Sequence, residues 1–224
     1  MSATPRQRLD AHERSDDVCV RFRRIIDASP GGRRTRGRLG NAVMETSALI
    51  KKHRRALADE HSWSLKRQRA RRQLRAALMG FITISRVIRG EDAGIYFVDR
   101  LPRTSDSELM SKATTMLDKV TTNADVFIEY GLPSTLLENV PVLVAALREA
   151  ISQQDTARID HQVLAREVLR SLAAGDRACA AMAVILASMA DTHPNAIAAF
   201  RKARRVGYSS RVAARRRAAR RPAR

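Results

Sequence analysis

The chain has 224 residues, enough for one or two domains with a substantial core. Its 44% hydrophobic and 4% aromatic content, rich in Ala and Leu and without long strand-like alternation, predicts an all-α protein. With 42 Lys and Arg against 23 Asp and Glu it carries a net charge of +19, which disfavours cationic partners and points to nucleic acid, an anionic membrane surface or an acidic protein.

The two cysteines, Cys19 and Cys179, lie far apart in sequence and in different kinds of environment, which excludes a disulfide framework. The N-terminus has no apolar run of the signal-peptide kind. The longest uncharged run near the C-terminus covers 13 residues, 178–190, too few to cross a bilayer. A soluble, cytoplasmic protein is expected. Charge is uneven along the chain. Residues 1–107 carry 24 basic and 12 acidic side chains, residues 108–192 carry 7 and 11, and residues 193–224 carry 11 and none. Arginine outnumbers lysine 36 to 6, so a GC-rich coding sequence is a competing source of the excess.

Residues 1–40 read as a polar, Arg/Gly-rich, largely flexible segment. A short helix is expected around Val18, Phe22, Ile25 and Ile26, broken by Ser29-Pro30-Gly31-Gly32. The Arg36-Gly37-Arg38 triplet resembles the centre of an AT-hook, a minor-groove reader built on Arg-Gly-Arg-Pro, with Leu39 in place of the proline. Asn41 can cap a helix to about residue 60, with Val43, Ser47, Ile50, Arg54 and Leu57 on one side. A second helix is expected from residue 62 or 64 to residue 89. Its first half holds Lys66, Arg67, Arg69, Arg71, Arg72 and Arg75, and its second half holds Leu74, Leu78, Phe81, Ile82, Ser85 and Ile88. This predicts a helix basic at one end and buried at the other.

The connection over 90–104 holds Tyr96, Phe97, Val98 and Leu101 and should pack along the bundle. Ser105 and Glu108 have capping-box spacing for a third helix. Its apolar stripe is Leu109, Ala113, Met116, Leu117, Val120, Ala124, Phe127 and Ile128. Gly131 can close that helix in the left-handed conformation, with Leu132 packing back and Pro133 unable to continue it. Ser134 or Thr135 can cap a fourth helix with the stripe Leu136, Leu137, Val140, Leu143, Val144, Leu147 and Ile151, and Pro141 lies within its first turns. So tight a corner implies antiparallel neighbours. Residues 152–156 read as a break. A fifth helix follows over 157–190, with Ile159, Val163, Leu169, Leu172, Cys179, Met182, Ile185, Leu186 and Met189 and a bend at Gly175-Asp176. Its run from 178 to 190 is apolar all round, as for a helix surrounded by neighbours. His193-Pro194-Asn195 ends the fifth helix, and a short helix with Ala196, Ile197, Ala199 and Phe200 follows, leading to a basic, low-complexity tail over 207–224.

No spacing for chemistry emerges. None of the five histidines has an acid three residues before it, and His-Glu-x-x-His, Cys-x-x-Cys, phosphate-loop, dinucleotide-loop and Gly-x-Ser-x-Gly patterns are absent. The expectation is therefore a non-enzymatic protein with no catalytic residue, cofactor or metal. The candidate polyanion-binding residues are Arg33, Arg34, Arg36 and Arg38, then Lys66, Arg67, Arg69, Arg71 and Arg72, then Arg201, Lys202, Arg204 and Arg205, and in the tail Arg211, Arg215, Arg216, Arg217, Arg220 and Arg221. Such binding would be electrostatic and sequence-independent, because residues 201–224 hold a single aromatic, Tyr208.

Leu101-Pro102, Phe127 with Gly131-Leu132-Pro133, and Pro194-Asn195 through Phe200 to Arg204-Arg205-Val206 carry a resemblance. Over roughly residues 40–206 the chain resembles an uncharacterised bacterial all-helical protein family, which implies the fold and no activity. The expected architecture is an antiparallel up-and-down bundle of four to five main helices over 41–206. Its function would be an interaction module contacting nucleic acid or another polyanion through its basic ends. The alternative is a structural or protein-docking bundle, meeting an acidic protein or a second copy of itself.

Overall fold

Thr4 opens the first helix: its hydroxyl accepts from the Gln7 amide at 3.3 Å while the Gln7 side chain accepts from the Thr4 amide at 2.9 Å. With Pro5 at the first helical position this is a complete capping box. The computed structural model describes residues 4–89, 101–102 and 105–205. Among these residues it is all-α, with seven helices and no strand. They are α1 (Pro5–Arg21), α2 (Arg23–Ile26), α3 (Pro30–Ile88), α4 (Asp106–Thr122), α5 (Ala124–Glu129), α6 (Ser134–Ala187) and α7 (Pro194–Ala203).

The division into helices differs from the expected one in four places. Ser29-Pro30-Gly31-Gly32 does end α2, but it also begins α3. The Ser29 hydroxyl accepts from the Gly32 amide at 3.0 Å and Pro30 takes the first helical position. Residues 30–40, expected to be flexible, are helical because Thr35, Leu39 and Ala42 are buried at helical spacing and Thr46 and Ile50 continue the stripe. α3 then runs 59 residues without the expected interruption near residue 61. Likewise α6 runs 54 residues through 152–156. The Thr156 hydroxyl there bonds back to the Ser152 carbonyl at 3.0 Å, inside the helix, and Gln154 accepts from Arg67 at 3.1 Å. In the opposite sense, Asn123 divides the expected third helix into α4 and α5.

The chain forms two compact units: a first of Met1–Arg55 with His161–Arg224, and a second of Ala56–Asp160. The expected boundary of the bundle at residue 40 falls inside α3, and the expected boundary at 206 lies outside the described residues.

In the second unit most of the large apolar side chains lie where their periodicity puts them, although Ile128, expected in the stripe, is 44% exposed. Leu74, Leu78, Phe81, Ile82, Ser85 and Ile88 of α3 are all buried. They form one core with Leu109, Ala113, Met116 and Val120 of α4, Phe127 of α5, and Val140 and Leu147 of α6. Each fully buried phenylalanine contributes about 1.5–3 kcal/mol of transfer free energy. Ser105 caps α4, accepting from the Glu108 amide at 3.2 Å. At the corner Gly131 has φ +91°, the Leu132 amide bonds to the Phe127 carbonyl and the Gly131 amide to the Ile128 carbonyl, both at 2.9 Å. This pair of bonds is a Schellman motif, and Leu132 is buried beneath it. α6 starts at Ser134, so its cap position falls to Pro133, which has no side-chain oxygen to offer. Leu101 of the connection is buried, while Tyr96, Phe97 and Val98 lie outside the described residues.

The first unit is built differently. One cluster joins Cys19, Ile26, Leu39, Cys179, Met182, Leu186, Ile197 and Phe200, and a second joins Leu9, Ile50, Val168 and Leu172. Between α3 and α6 the buried groups are small or hydroxylated, and Thr46 shares a 2.8 Å hydrogen bond with Ser171. Cys19 and Cys179, expected in different environments, share one apolar cluster. Val163 and Leu169, expected inside, are 46% and 53% exposed, because the face of α6 that packs here is the one carrying Val168, Ser171, Leu172 and Gly175; Ile159 of the second unit, also expected inside, is 61% exposed. Residues 178–190 are not surrounded: Val184 is 71% exposed and the helix ends at Ala187.

Candidate polyanion-binding surface

Charge follows the two units. The sequence of the first holds 28 basic and 9 acidic side chains, and that of the second holds 14 of each. The whole excess of +19 therefore belongs to the first unit.

At the start of α3, Arg33 and Arg34 are exposed, and their guanidinium groups reach the Asp27 and Pro30 carbonyls at 3.3 and 3.4 Å. Arg36 departs from the expected surface. It donates to both oxygens of Asp27, at 2.9 and 3.0 Å, and Arg23 adds a third bond at 3.1 Å. The Arg36 hydrogen bonds, with help from Arg23, hold the Asp27 carboxyl below its usual range. Arg38 is exposed on α3.

The basic stretch of the second unit is also partly turned inward. Arg67 Nε lies 2.6 Å from Asp106 Oδ2, and Arg71 Nη1 lies 3.0 Å from Oδ1. The Asp106 side chain is only 4% exposed. The Arg71 contact is an ion pair without hydrogen-bond alignment, since Oδ1 has no directed donor. Arg75 donates to the Pro102 carbonyl, and the Lys66 ammonium sits 3.6 Å from the Trp63 ring centroid. Arg67 and Arg71 thus tie the start of α4 to α3 and are only partly exposed on the expected surface, whereas Arg69 and Arg72 stay exposed.

At the end of α7, Arg201, Lys202, Arg204 and Arg205 are all exposed. Cations there complement the helix dipole. Arg14 of α1 donates to the Ala203 and Arg205 carbonyls at 3.3 and 3.0 Å, which caps the helix and holds its basic end against α1. Arg211, Arg215, Arg216, Arg217, Arg220 and Arg221 lie outside the described residues.

Two histidine arrangements were hidden in the sequence. His12, 3% exposed, places Nε2 2.8 Å from Asp176 Oδ1, and Arg8 pairs with the other oxygen. Burial pushes the Asp176 carboxyl up, but the bonds from His12 and Arg8 outweigh it and hold the group below its usual value. Nδ1 of His12 faces Gly175, so the ring does not present a base to Cys179. Burial also keeps both thiols protonated, Cys19 pushed up to about 12 and Cys179 to about 11. The cluster therefore has the chemistry of a buried polar clamp between α1 and α6. Among the described residues no three His, Cys, Asp or Glu side chains come together as a metal site.

The second arrangement is His53 of α3 against His161 of α6, ring centroids 4.7 Å apart and tilted by 42°. Burial and the neighbouring His161 lower the pKa of His53 from its ordinary 6.5. The unfolded chain therefore takes up the proton before the folded one. The stabilising contribution is complete above pH 6.5 and is lost as pH falls through the depressed folded value. Thermal melts between pH 8 and 5 should show stability falling on the acid side, with a flatter profile in His53→Gln. Parallel profiles for the two proteins would refute this linkage.

No protein-family model, curated protein or solved structure matches the chain.

Proposed function

We propose that the protein is a non-enzymatic interaction module, an all-α antiparallel bundle that holds nucleic acid or a similar polyanion without sequence preference on its first unit. The observation that carries this reading is the partition of charge, with the full excess in one unit and none in the other. The exposed basic end of α7, continued in sequence by the arginines of the tail, is the principal contact. Arg33, Arg34 and Arg38 on α3 add to it, and Arg69 and Arg72 of the second unit are secondary. Base stacking is not the main mode, so affinity depends chiefly on counterion release. The motif resemblance over residues 40–206 supports the helical fold of this reading and adds no activity. Among the described residues no helix is long and apolar enough to cross a membrane, and the reading places the protein in the cytoplasm.

The test is duplex-DNA binding across a salt series. With about five phosphates neutralised, the log–log slope should be about −4.5, a loss of roughly 500-fold between 50 and 200 mM salt. The triple variant Arg201→Gln, Lys202→Gln, Arg205→Gln should make the slope shallower by about 2–3. Affinity that ignores both salt and the triple variant would refute the proposal.

A further inference from the structure

The first unit contains an open cleft of about 500 Å³ between α3 and α6, within the size range of small-molecule sites. Its floor is unusually low in side-chain bulk, being made of Ala42 and Ala178, both buried, with Ala174 beside them. Arg38 stands on the α3 wall and Arg177 on the α6 wall. Both are exposed, and neither has an acidic partner among the described residues. Their neighbours differ: Arg36, two residues before Arg38, is bonded to Asp27, and Arg8 is paired with Asp176, the residue before Arg177. The fold thus supplies carboxylates to the cations beside this cleft and leaves the two that face into it without one. Two guanidinium groups lining one cleft repel each other until an anion lies between them. Their planar forks suit the oxygens of a phosphate. Asn41 adds an amide to the same wall, and Glu45 lines both this cleft and an adjoining one of about 400 Å³.

We propose that this cleft binds a phosphate ester. The phosphate sits between Arg38 and Arg177, the apolar face of the organic part lies on the alanine floor, and its hydrogen-bond donors point to Glu45. This is a discrete site, separate from the diffuse contact at the end of α7. A small organic phosphate and a nucleic-acid backbone offer the same phosphate chemistry, so the test has an arm for each.

The full-length protein is titrated calorimetrically at low salt with adenosine monophosphate, with inorganic phosphate, and with a short single-stranded oligonucleotide. A small-ligand site predicts 1:1 binding of the monophosphate, weakened at least tenfold in Arg38→Gln/Arg177→Gln. Glu45→Gln should weaken the monophosphate and leave inorganic phosphate unchanged. The Arg201→Gln/Lys202→Gln/Arg205→Gln variant should retain monophosphate binding while losing DNA affinity, so that either proposal can fail alone. If only the oligonucleotide binds, and the Arg38/Arg177 variant weakens it at least tenfold, the phosphate ester is that of a backbone and the cleft site stands. No binding of any probe, or binding at several sites per chain that the Arg38/Arg177 variant leaves unchanged, would overturn it.

Discussion

Asp106→Ala should destabilise the second unit by about 3 kcal/mol in urea unfolding. The carboxylate is almost fully buried and faces Arg67 at 2.6 Å and Arg71 at 3.0 Å. Its removal leaves two cations drawn inward with no counter-charge. They do not suffer the full cost of a buried orphan charge, because Arg67 and Arg71 keep 37% and 21% of their side-chain surface and stay partly hydrated. The variant also loses an acidic group in the first turn of α4, where it favours the helix dipole. The triple variant Asp106→Leu, Arg67→Met, Arg71→Met should recover most of the loss, since an apolar replacement of the whole cluster removes the charges together. A loss under about 0.5 kcal/mol for Asp106→Ala, typical of a surface position, would show that the cluster is only a surface ion pair.

Gly175→Ala should also destabilise, against the helix propensity of the substituted residue. In an open helix this change would gain roughly 1 kcal/mol. Here a Cβ would stand 2.5 Å from Nδ1 and 2.6 Å from Cε1 of His12. The ring cannot swing away cheaply, because it is 3% exposed and bonded to Asp176 at 2.8 Å. Overpacking of this kind costs about 1–3 kcal/mol, so the net expectation is a loss of up to about 2 kcal/mol. Removing the ring should reverse the sign: in a His12→Ala background, Gly175→Ala should be neutral or stabilising. A double-mutant cycle by thermal or urea unfolding reads this coupling directly. Additive effects would mean that the ring and the glycine do not constrain each other. The cycle also explains why a Gly-Asp pair that reads as a bend lies within an unbroken helix: the missing side chain admits His12 of α1.

The two units differ in how far their sequences could be read. The second unit is built on large apolar residues, so the stripe from Leu74 to Ile88 and that from Leu109 to Phe127 announce their buried faces. The first unit packs Thr35, Ala42, Thr46, Ser171 and Gly175 between its helices. Such side chains look like surface in a hydrophobicity reading, which is why Val163 and Leu169 were expected inside in their place. The same holds for the candidate surface. Arg201, Lys202, Arg204 and Arg205 could be placed because they end a short helix with nothing beyond them to bury. Arg67 and Arg71 could not, because their carboxylate is about 40 residues away and is buried only when α4 docks on α3.

The sequence by itself determined the all-α class, the Schellman corner at Gly131, the cap at Ser105, the terminal helix led by Pro194, and the excess of positive charge. These depend on a residue and its near neighbours: a φ that only glycine takes easily, a hydroxyl within reach of a free amide, a 3.6-residue period of bulky apolar groups. The tertiary structure alone decided that α3 and α6 run unbroken, that Cys19 and Cys179 share a cluster, and which arginines face solvent. Each of these depends on a partner distant in sequence. Thr46 finds Ser171 at a separation of 125 residues, and Arg8 finds Asp176 at 168. Small and polar side chains become interior only when another helix arrives to cover them and supply the missing hydrogen bond or counter-charge.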